Sequence, residues 1–272
     1  MKNIQRDNAN ISYKITGSGD ITLLFVHGSF IDQTYWKSQV AFFSDRYKVV
    51  TVDLPGHGQS GTERQHWSVQ GFAEDVIEVI KELDLHNVIL IGHSLGAGVN
   101  LIAASLYPAP VLGMVAIEYF KNAATPLPGE YQQQAADIQR KLAVDFRKTN
   151  EEYARMALLT EKTNPAISKR IVEAYRNAFK PMGLATTPEI FEFYHTEKRL
   201  LPALRMKLYL INVDYMPTNE AALQQYTGSG FELLYMKGTS HFPMLENPDE
   251  LNKLLENVVR KISMNILHTQ EA

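Results

Sequence analysis

The sequence predicts an α/β protein with a mostly parallel central sheet and helices on both faces of that sheet. Its first half alternates short, β-branched apolar runs with longer amphipathic runs, the pattern of parallel strands joined by crossover helices. A long stretch without a clear strand pattern follows this half of the chain, and the same alternation returns from residue 206 onward. We therefore expect one core, built from two parts of the chain, with a helical insertion between them.

The predicted strands are continuous apolar runs, as expected for strands buried on both faces. They cover residues 21–28, 47–56, 87–94, 111–120, 206–214 and 231–238. The predicted core helices keep apolar residues at steps of three and four. They cover residues 33–43, 68–85, 95–107, 219–226 and 249–262. Strands and helices thus alternate along the chain, as crossover connections in a parallel sheet require.

Residues 121–203 form the predicted insertion. They mix Gln, Ala, Arg and Glu with apolar residues in helical patterns, as in 130–146 and 166–179. We predict that residues 1–120 and 204–272 form the core domain and that the insertion is a helical cap or lid. A minority of its large apolar residues is expected to line a pocket, the rest forming the cap's own core. The candidates are Tyr131, Phe146, Tyr153, Met156, Leu158, Tyr175, Phe179, Met182, Phe191 and Phe193.

The composition excludes several classes of partner. The 272 residues include 27 Lys and Arg against 30 Asp and Glu, which gives a formal net charge of -3. This balance argues against nucleic acid or an anionic membrane as the main partner. The chain has no cysteine and no spacing of His and carboxylates typical of a metal site, so we expect no disulfide, no metal and no cofactor.

The N-terminal residues lack the apolar region of a secretory signal, and no stretch has the apolar length of a membrane-spanning helix. We therefore expect a cytoplasmic monomer or homodimer whose partner is a small molecule.

The strongest chemical signal is Gly92-His93-Ser94-Leu95-Gly96, which directly follows a predicted buried strand and directly precedes a predicted helix. This is the context of a nucleophile elbow, in which small residues around a serine permit a tight strand–turn–helix bend. The bend lifts the hydroxyl above the sheet and points the helix N-terminus at a developing negative charge. Ser94 is therefore the candidate nucleophile.

An oxyanion hole needs backbone N–H donors beside that serine. The amide of Leu95 is one candidate, because it follows Ser94 directly. The second is an amide just after His27-Gly28, at the end of an earlier strand, and we assign it to Ser29 or Phe30. His27 itself is expected to be structural.

The chain resembles the α/β-hydrolase superfamily over nearly its whole length. Four segments in the family's order and spacing carry this resemblance: HGSF at 27–30, DLPGHGQS at 53–60, GHSLGAG at 92–98 and GTSHFPMLENPDEL at 238–251. The resemblance implies an α/β-hydrolase fold with an inserted cap and a triad in the order serine, acid, histidine. It also assigns the second segment to a structural turn whose backbone geometry depends on Asp53, Gly56 and Gly58.

The base of such a triad follows the final strand, and His241 lies at that position. The seven other histidines fall on loops, helix ends, the tail or the turns already described. One ring nitrogen of His241 must reach Ser94 while a carboxylate holds the other, which fixes the tautomer and stabilises the imidazolium.

Two carboxylates follow strands at usable positions, Glu118 and Asp214. Most family members place the acid after the later strand, usually as Gly-x-x-Asp. If Asn212 takes the Gly position of this pattern, the position expected for the acid holds Tyr215, and Asp214 comes one residue too early. This offset matters because adjacent residues near a strand end point to opposite faces of the sheet. Glu118, 24 residues after Ser94, resembles instead the haloalkane dehalogenase-like branch, whose acid follows the earlier strand. We favour Glu118 and keep Asp214 as the alternative.

A serine at the elbow implies acyl transfer, since the dehalogenases and epoxide hydrolases of this superfamily use an aspartate there. We expect a serine esterase that cleaves a small, hydrophobic carboxylic ester. A thioesterase, lactonase, C–C hydrolase, acyltransferase or cofactor-free haloperoxidase would carry the same residues, because the cap selects the substrate. A hypothesis of a different class is a hydrolase-like small-molecule receptor.

Overall fold

The computed structural model describes residues 2–270, without the side chains of residues 265–270. Within this part of the chain, eight strands form one sheet in the order β1-β2-β4-β3-β5-β6-β7-β8. The strands are β1 (Lys2–Arg6), β2 (Ala9–Thr16), β3 (Thr22–Val26), β4 (Lys48–Val52), β5 (Val88–His93), β6 (Val111–Ile117), β7 (Leu208–Val213) and β8 (Phe231–Met236). The β1–β2 and β2–β4 pairs are antiparallel, and all other neighbours are parallel.

The helices connect these strands. In the described residues they are α1 (Lys37–Phe43), α2 (Val69–Glu82), α3 (Leu95–Leu106), α4 (Gly129–Val144), α5 (Phe146–Tyr153), α6 (Pro165–Arg176), α7 (Lys180–Phe191), α8 (Tyr194–Leu200), α9 (Glu220–Tyr226), α10 (Pro243–Glu246) and α11 (Pro248–Gln270). A 3₁₀ turn precedes α1 (Gln33–Trp36), and a π-helical turn follows α5 (Ala154–Leu158). The last helix continues beyond its predicted end at residue 262.

The core consists of two apolar layers, one on each face of the sheet. Because side chains alternate along a strand, Leu24 and Val26 of β3 enter one layer while Leu23 and Phe25 enter the other. The first layer packs α2 and α3 against the sheet, and the second packs α1 and α11. The predicted fold class, a mostly parallel sheet covered by helices on both faces, is confirmed.

The hairpin of β1 and β2 was not among the predicted strands. β1 has the sequence KNIQR, in which Ile4 alone is buried, so it lacks the continuous apolar run of the other strands. The turn does carry a local signal. Asp7 and Asn8 have φ of 50° and 60°, the left-handed conformations of a two-residue hairpin turn, which Asn and Asp tolerate better than other non-glycine residues.

Between β6 and β7 the chain forms α4 to α8, which we call the inserted helices. Side chains cap the N-termini of α5 and α6. At α6, the Asn164 side chain accepts a hydrogen bond of 2.9 Å from the Ala166 amide, and Pro165 occupies the first turn, where its missing N–H costs nothing. No helix in residues 2–270 combines the length and the apolar character needed to cross a bilayer.

Candidate active site

The backbone at Ser94 is strained. With φ 49° and ψ −123°, this residue occupies a region that non-glycine residues rarely adopt, and its carbonyl accepts a bond of 2.8 Å from Ala97 N–H. Its neighbours must be small. A Cβ on Gly92 would lie 2.5 Å from backbone atoms of Gly96, and one on Gly96 would lie 2.3 Å from the Val26 carbonyl oxygen. The sequence thus forms a tight elbow that leaves Ser94 partly exposed at the start of α3.

The predicted oxyanion donors border the same elbow. Leu95 is the first residue of α3, where backbone N–H groups have no partner within the helix. Ser29 and Phe30 lie in the turn after β3, and Phe30 has a left-handed φ of 63°. A Cβ on Gly28 would lie 3.1 Å from the Cβ of Ser94, so this turn passes directly beside the serine.

His27 supports that turn through both ring nitrogens. Its Nδ1 hydrogen bonds to the Gly28 carbonyl oxygen at 2.7 Å, and its Nε2 accepts from the Leu54 amide at 3.0 Å. This pairing requires a neutral ring with the proton on Nδ1. Burial lowers the pKa of His27 to about 4, which keeps the ring neutral near pH 7. The geometry is that of a structural residue.

Asp53 stabilises the turn that follows β4. Its carboxylate accepts bonds from the amides of Gln33 at 2.7 Å and Gln59 at 2.9 Å. Gly56 and Gly58 have φ of 80° and 52°, and a Cβ on Gly58 would lie 2.4 Å from the Asp53 carboxyl carbon. These contacts fix backbone geometry, as expected for this segment.

His241 lies in the turn between β8 and α10, next to the elbow. The Nε2–H of His93 donates to its carbonyl oxygen at 2.8 Å, and the two ring centroids are 4.7 Å apart. Its Nδ1 is 3.2 Å from Glu118 Oε2, so the ring proton faces the carboxylate and Nε2 is left as the free base. Within residues 2–270, Ser94 makes no hydrogen bond to this ring; such contacts often close only when substrate binds.

Glu118 reaches His241 because the sheet continues past the strand ends. Ser94 N–H donates to the Ile117 carbonyl oxygen at 3.0 Å, and Glu118 N–H donates to the Ile211 carbonyl oxygen at 3.0 Å. These bonds align the ends of β5, β6 and β7. Glu118 is 2% exposed and has φ 55°, a left-handed turn directly after β6.

The two oxygens of Glu118 have separate partners. Oε1 accepts a hydrogen bond from Val213 N–H and lies 3.1 Å from Lys121 Nζ. Oε2 faces His241. Both oxygens are thus engaged with donors, which compensates for burial of the charge.

Asp214, the alternative acid, lies elsewhere. Its side chain is exposed, and its Oδ1 accepts from Gly238 N–H at 3.3 Å. Among the described contacts, none joins it to His241. Its hydrogen bond is to the backbone of the turn after β8, and not to the ring of His241. The geometry therefore pairs His241 with Glu118.

Two further side chains of the site were not predicted. Tyr215 Oη lies 3.3 Å from Nδ1 of His241, and Lys121 lies beside Glu118. The signal for Tyr215 was its position, where most family members carry the acid. No comparable signal marked Lys121, three residues beyond Glu118.

The inserted helices contact the turn that carries His241. The His241 amide donates to the Leu158 carbonyl oxygen at 3.1 Å, at the end of the π-helical turn. Thr163 bonds to Glu246 at 3.3 Å, and the same carboxylate accepts from the Ser240 amide at 3.0 Å. The position of the base is therefore coupled to the inserted helices.

The inserted helices also meet the turn after β3. Phe30 packs edge-on against Phe146 and Tyr175, at ring-centroid distances of 6.1 and 5.2 Å. Of the ten apolar residues considered as pocket candidates, Met156 is 85% exposed and Tyr131 is 43% exposed, so neither belongs to a buried pocket. Aromatic side chains of the inserted helices thus pack against the turn after β3, which lies beside the elbow.

Glu197 is a buried carboxylate on α8, the last of the inserted helices. It is 7% exposed, and it accepts a hydrogen bond of 2.7 Å from the Ala124 amide. Burial raises its pKa from 4.5 to about 7, although the bond to Ala124 acts in the opposite direction. Burial, and then the charge of Glu197, raise the pKa of the Tyr119 hydroxyl.

Glu197 is expected to make stability depend on pH. Because the folded chain binds its proton more tightly than the unfolded chain, the free energy of unfolding should fall as pH rises from about 4.5 through about 7. Glu197→Gln should remove that loss, worth up to about 3 kcal/mol at pH 8 and little at pH 4. Urea unfolding at both pH values measures the difference. Glu192→Gln, on an exposed neighbour, is the control, and equal pH dependence in wild type and Glu197→Gln would contradict the prediction.

Comparison with known proteins identifies the family. The model of the alpha/beta hydrolase family matches residues 23–254. Karrikin insensitive 2 receptor CA from Petunia hybrida is 24% identical over 247 residues, 87% of this chain and 90% of the receptor. A 2-(acetamidomethylene)succinate hydrolase from Mesorhizobium japonicum is 34% identical over 116 residues, 43% of this chain and 41% of that enzyme.

Solved structures share the fold. A thermophilic esterase from Thermogutta terrifontis superimposes with a TM-score of 0.79 at 20% identity, covering 93% of this chain and 94% of the esterase. The family match spans most of the sequence, and it includes the elbow, the turn after β3 and the turn that carries His241. The chain belongs to the alpha/beta hydrolase family.

Proposed function

We propose that this protein is a serine hydrolase that cleaves a small, hydrophobic carboxylic ester through an acyl-enzyme on Ser94. The observation that carries the proposal is the contact of 3.2 Å between His241 Nδ1 and Glu118 Oε2, beside a strained serine elbow. This contact leaves His241 Nε2 free to take a proton, and it puts a negative charge where the imidazolium forms.

The proposed reaction has two halves. Ser94 Oγ bonds to the ester carbonyl carbon while its proton passes to His241 Nε2. The negative charge on the carbonyl oxygen is stabilised by the amide of Leu95 and that of Ser29 or Phe30. The bond to the alcohol then breaks, and the alcohol leaves with the proton from His241. Water repeats the sequence on the acyl-enzyme, with His241 as the base, and releases the acid and the free serine.

The inserted helices serve in this proposal as the lid that selects the substrate. Their aromatic residues Phe146 and Tyr175 contact Phe30, next to a proposed oxyanion donor. Apolar and aromatic groups favour an apolar acyl or alcohol group, since burying such a group releases about 25 cal/mol per Å². The direct bond from His241 to Leu158 gives the lid a route by which to affect the base.

A panel of p-nitrophenyl esters of graded chain length tests the proposal. We expect many turnovers per protein molecule, a rise in kcat/KM from acetyl to a longer acyl group, and stoichiometric labelling by a fluorophosphonate. Peptide mass spectrometry should locate the label on Ser94. Absence of both turnover and labelling would exclude a serine hydrolase.

A second candidate function is a small-molecule receptor. It is favoured by one observation, the match to the petunia receptor over 87% of this chain. The ester panel separates the two functions, because a receptor would be labelled on Ser94 but would stop after about one turnover. Thioesters and lactones in the same panel distinguish the related hydrolase chemistries.

A further inference from the structure

We propose that Tyr215 and Lys121 are positioning residues that hold the Glu118–His241 pair, so that the end of β7 supports the catalytic acid instead of supplying it. This inference rests on the proposed function. It concerns how the acid is held at the position after β6, where the loop that carries the acid in most of the family contributes contacts to it and not the carboxylate itself.

Tyr215 occupies the place of the usual acid and contacts the same atom that the acid would contact. Its Oη is 3.3 Å from His241 Nδ1, and Glu118 Oε2 is 3.2 Å from that nitrogen. Burial and then the charge of Glu118 raise the pKa of Tyr215, so the phenol keeps its proton and can direct it at the carboxylate. The ring nitrogen therefore faces two oxygens, one charged and one neutral.

The end of β7 provides further contacts to the Glu118 turn. Asn212 is fully buried, and its side-chain oxygen accepts from Tyr119 N–H at 3.2 Å while its amide donates to the Tyr119 carbonyl oxygen at 3.2 Å. Val213 N–H donates to Glu118 Oε1. These bonds fix the residue after Glu118 and one oxygen of Glu118 itself. They explain how a left-handed turn at Glu118 is maintained.

Lys121 completes the arrangement from the other side. Its ammonium group is 3.1 Å from Glu118 Oε1, donates to the carbonyl oxygens of Val213 at 3.0 Å and Met216 at 3.1 Å, and lies 4.5 Å from the ring centroid of Tyr215. The side chain is 14% exposed. The Lys121 ammonium group thus contacts Glu118, the backbone at the end of β7 and the ring of Tyr215 at the same time.

This geometry has a consequence for the pH dependence of activity. The titratable groups that face Lys121 are Glu118, Asp214 and Tyr215. Those that face His241 are Glu118, Tyr215 and His93, and burial keeps the His93 ring neutral. Loss of the Lys121 charge lets the site take up a proton at higher pH, since a nearby cation opposes protonation. Loss of the Tyr215 hydroxyl acts in the same direction, because a donor to the carboxylate stabilises its charged form.

The test measures kcat, KM and the pH profile of kcat/KM for p-nitrophenyl butyrate in Tyr215→Phe and Lys121→Met. Tyr215→Phe keeps the ring beneath Lys121 and removes one hydroxyl. We expect kcat to fall about 5- to 20-fold with little change in KM, as for the loss of one hydrogen bond to a charged group. We expect the acidic limb to move to higher pH in both variants, by about half a pH unit or more in Lys121→Met. Lys121→Arg, which keeps the charge, should retain the wild-type limb.

Matched controls carry the same substitutions at exposed pairs. Tyr235 donates to Glu220 at 3.0 Å, so Tyr235→Phe removes an equivalent hydroxyl away from the site. Lys207 is 3.2 Å from Glu232 and 5.5 Å from the Tyr209 ring centroid, so Lys207→Met removes an equivalent cation. Both controls should keep the wild-type kcat and pH profile.

The outcomes separate this inference from the proposed function. Inactive wild type would remove the proposed function itself. A fully active Glu118→Gln variant would remove Glu118 as the acid, and this inference with it, but it would leave Ser94 as the nucleophile. Active wild type with an inactive Glu118→Gln variant, but unchanged kcat and pH profile in Tyr215→Phe, would overturn the role of Tyr215 alone. An acidic limb in Lys121→Met that matches wild type would overturn the role of Lys121. If Lys121→Met fails to fold, Lys121→Gln, which also removes the charge, replaces it, and thermal unfolding of every variant shows which samples are native.

Discussion

Replacing Ser94 with alanine is expected to lower kcat for p-nitrophenyl butyrate by roughly 10³-fold or more while leaving KM within about threefold of wild type. The reason is that Ser94 alone supplies the bond to the acyl carbon, while the oxyanion donors and the lid, which bind the ester, are unchanged. The substitution also keeps a Cβ at the strained φ of 49°, so the elbow should hold its shape. Steady-state kinetics measures the fall in kcat. Labelling by a fluorophosphonate, which needs the Ser94 hydroxyl, should be lost as well.

The control is Ser105→Ala, which makes the same change on the same helix. Ser105 Oγ donates to the Leu101 carbonyl oxygen at 2.7 Å and lies at the far end of α3 from Ser94. We expect this variant to keep wild-type turnover and labelling. Persistent labelling of Ser94→Ala, or comparable kcat losses in the two variants, would show that Ser94 is not the nucleophile.

Ser94 and His241 could be selected from the sequence because their signals are local. A glycine two residues before the serine and another two residues after it, with a buried strand before this motif and a helix after it, specify one tight bend. Steric contacts at Gly92 and Gly96 explain why no larger residue fits at either position. His241 could be selected as the candidate base because it comes soon after the last predicted strand. The structure brings both to the same edge of the sheet, with His93 joining them through its bond to the His241 carbonyl oxygen.

The acid could not be settled in the same way, because its choice depends on how two loops orient at the sheet edge. The sequence showed that Asp214 is one residue early, but not whether the loop after β7 would bend to correct this offset. Nor did it show that Glu118 would adopt a left-handed φ, which depends on bonds to Ile211 and Val213 of another strand. Contacts between segments almost 100 residues apart leave no local pattern. The hairpin of β1 and β2 was missed for a related reason, since pairing rather than apolar composition stabilises β1.

Glu118→Gln is expected to lower kcat by about 10²- to 10⁴-fold. The loss follows from the partners of the two oxygens. Val213 N–H and Lys121 both require an acceptor at the position of Oε1, so the oxygen of the new amide should stay there. Its NH₂ group then faces His241 Nδ1, which must become an acceptor. The ring proton is thereby moved to Nε2, the atom that has to accept the proton of Ser94.

The matched variant is Asp214→Asn, the same change from carboxylate to amide at the alternative position. Asp214 is exposed and accepts from Gly238 N–H at 3.3 Å, a bond that an asparagine oxygen can also accept. We expect kcat within about twofold of wild type, because solvent screens the exposed Asp214 charge and leaves it little effect on the buried Glu118–His241 pair.

The comparison of these two variants assigns the acid by a difference and not by a single loss of activity. Glu118→Gln keeps the size of the side chain and the Val213 contact, so it should fold as wild type does, and thermal unfolding checks this. Should Asp214→Asn lose more activity than Glu118→Gln, the loop after β7 must reach His241 during the reaction, and the acid would be Asp214. Equal small losses would mean that His241 acts without a carboxylate partner, in which case the contact of 3.2 Å at Nδ1 only packs the base in place.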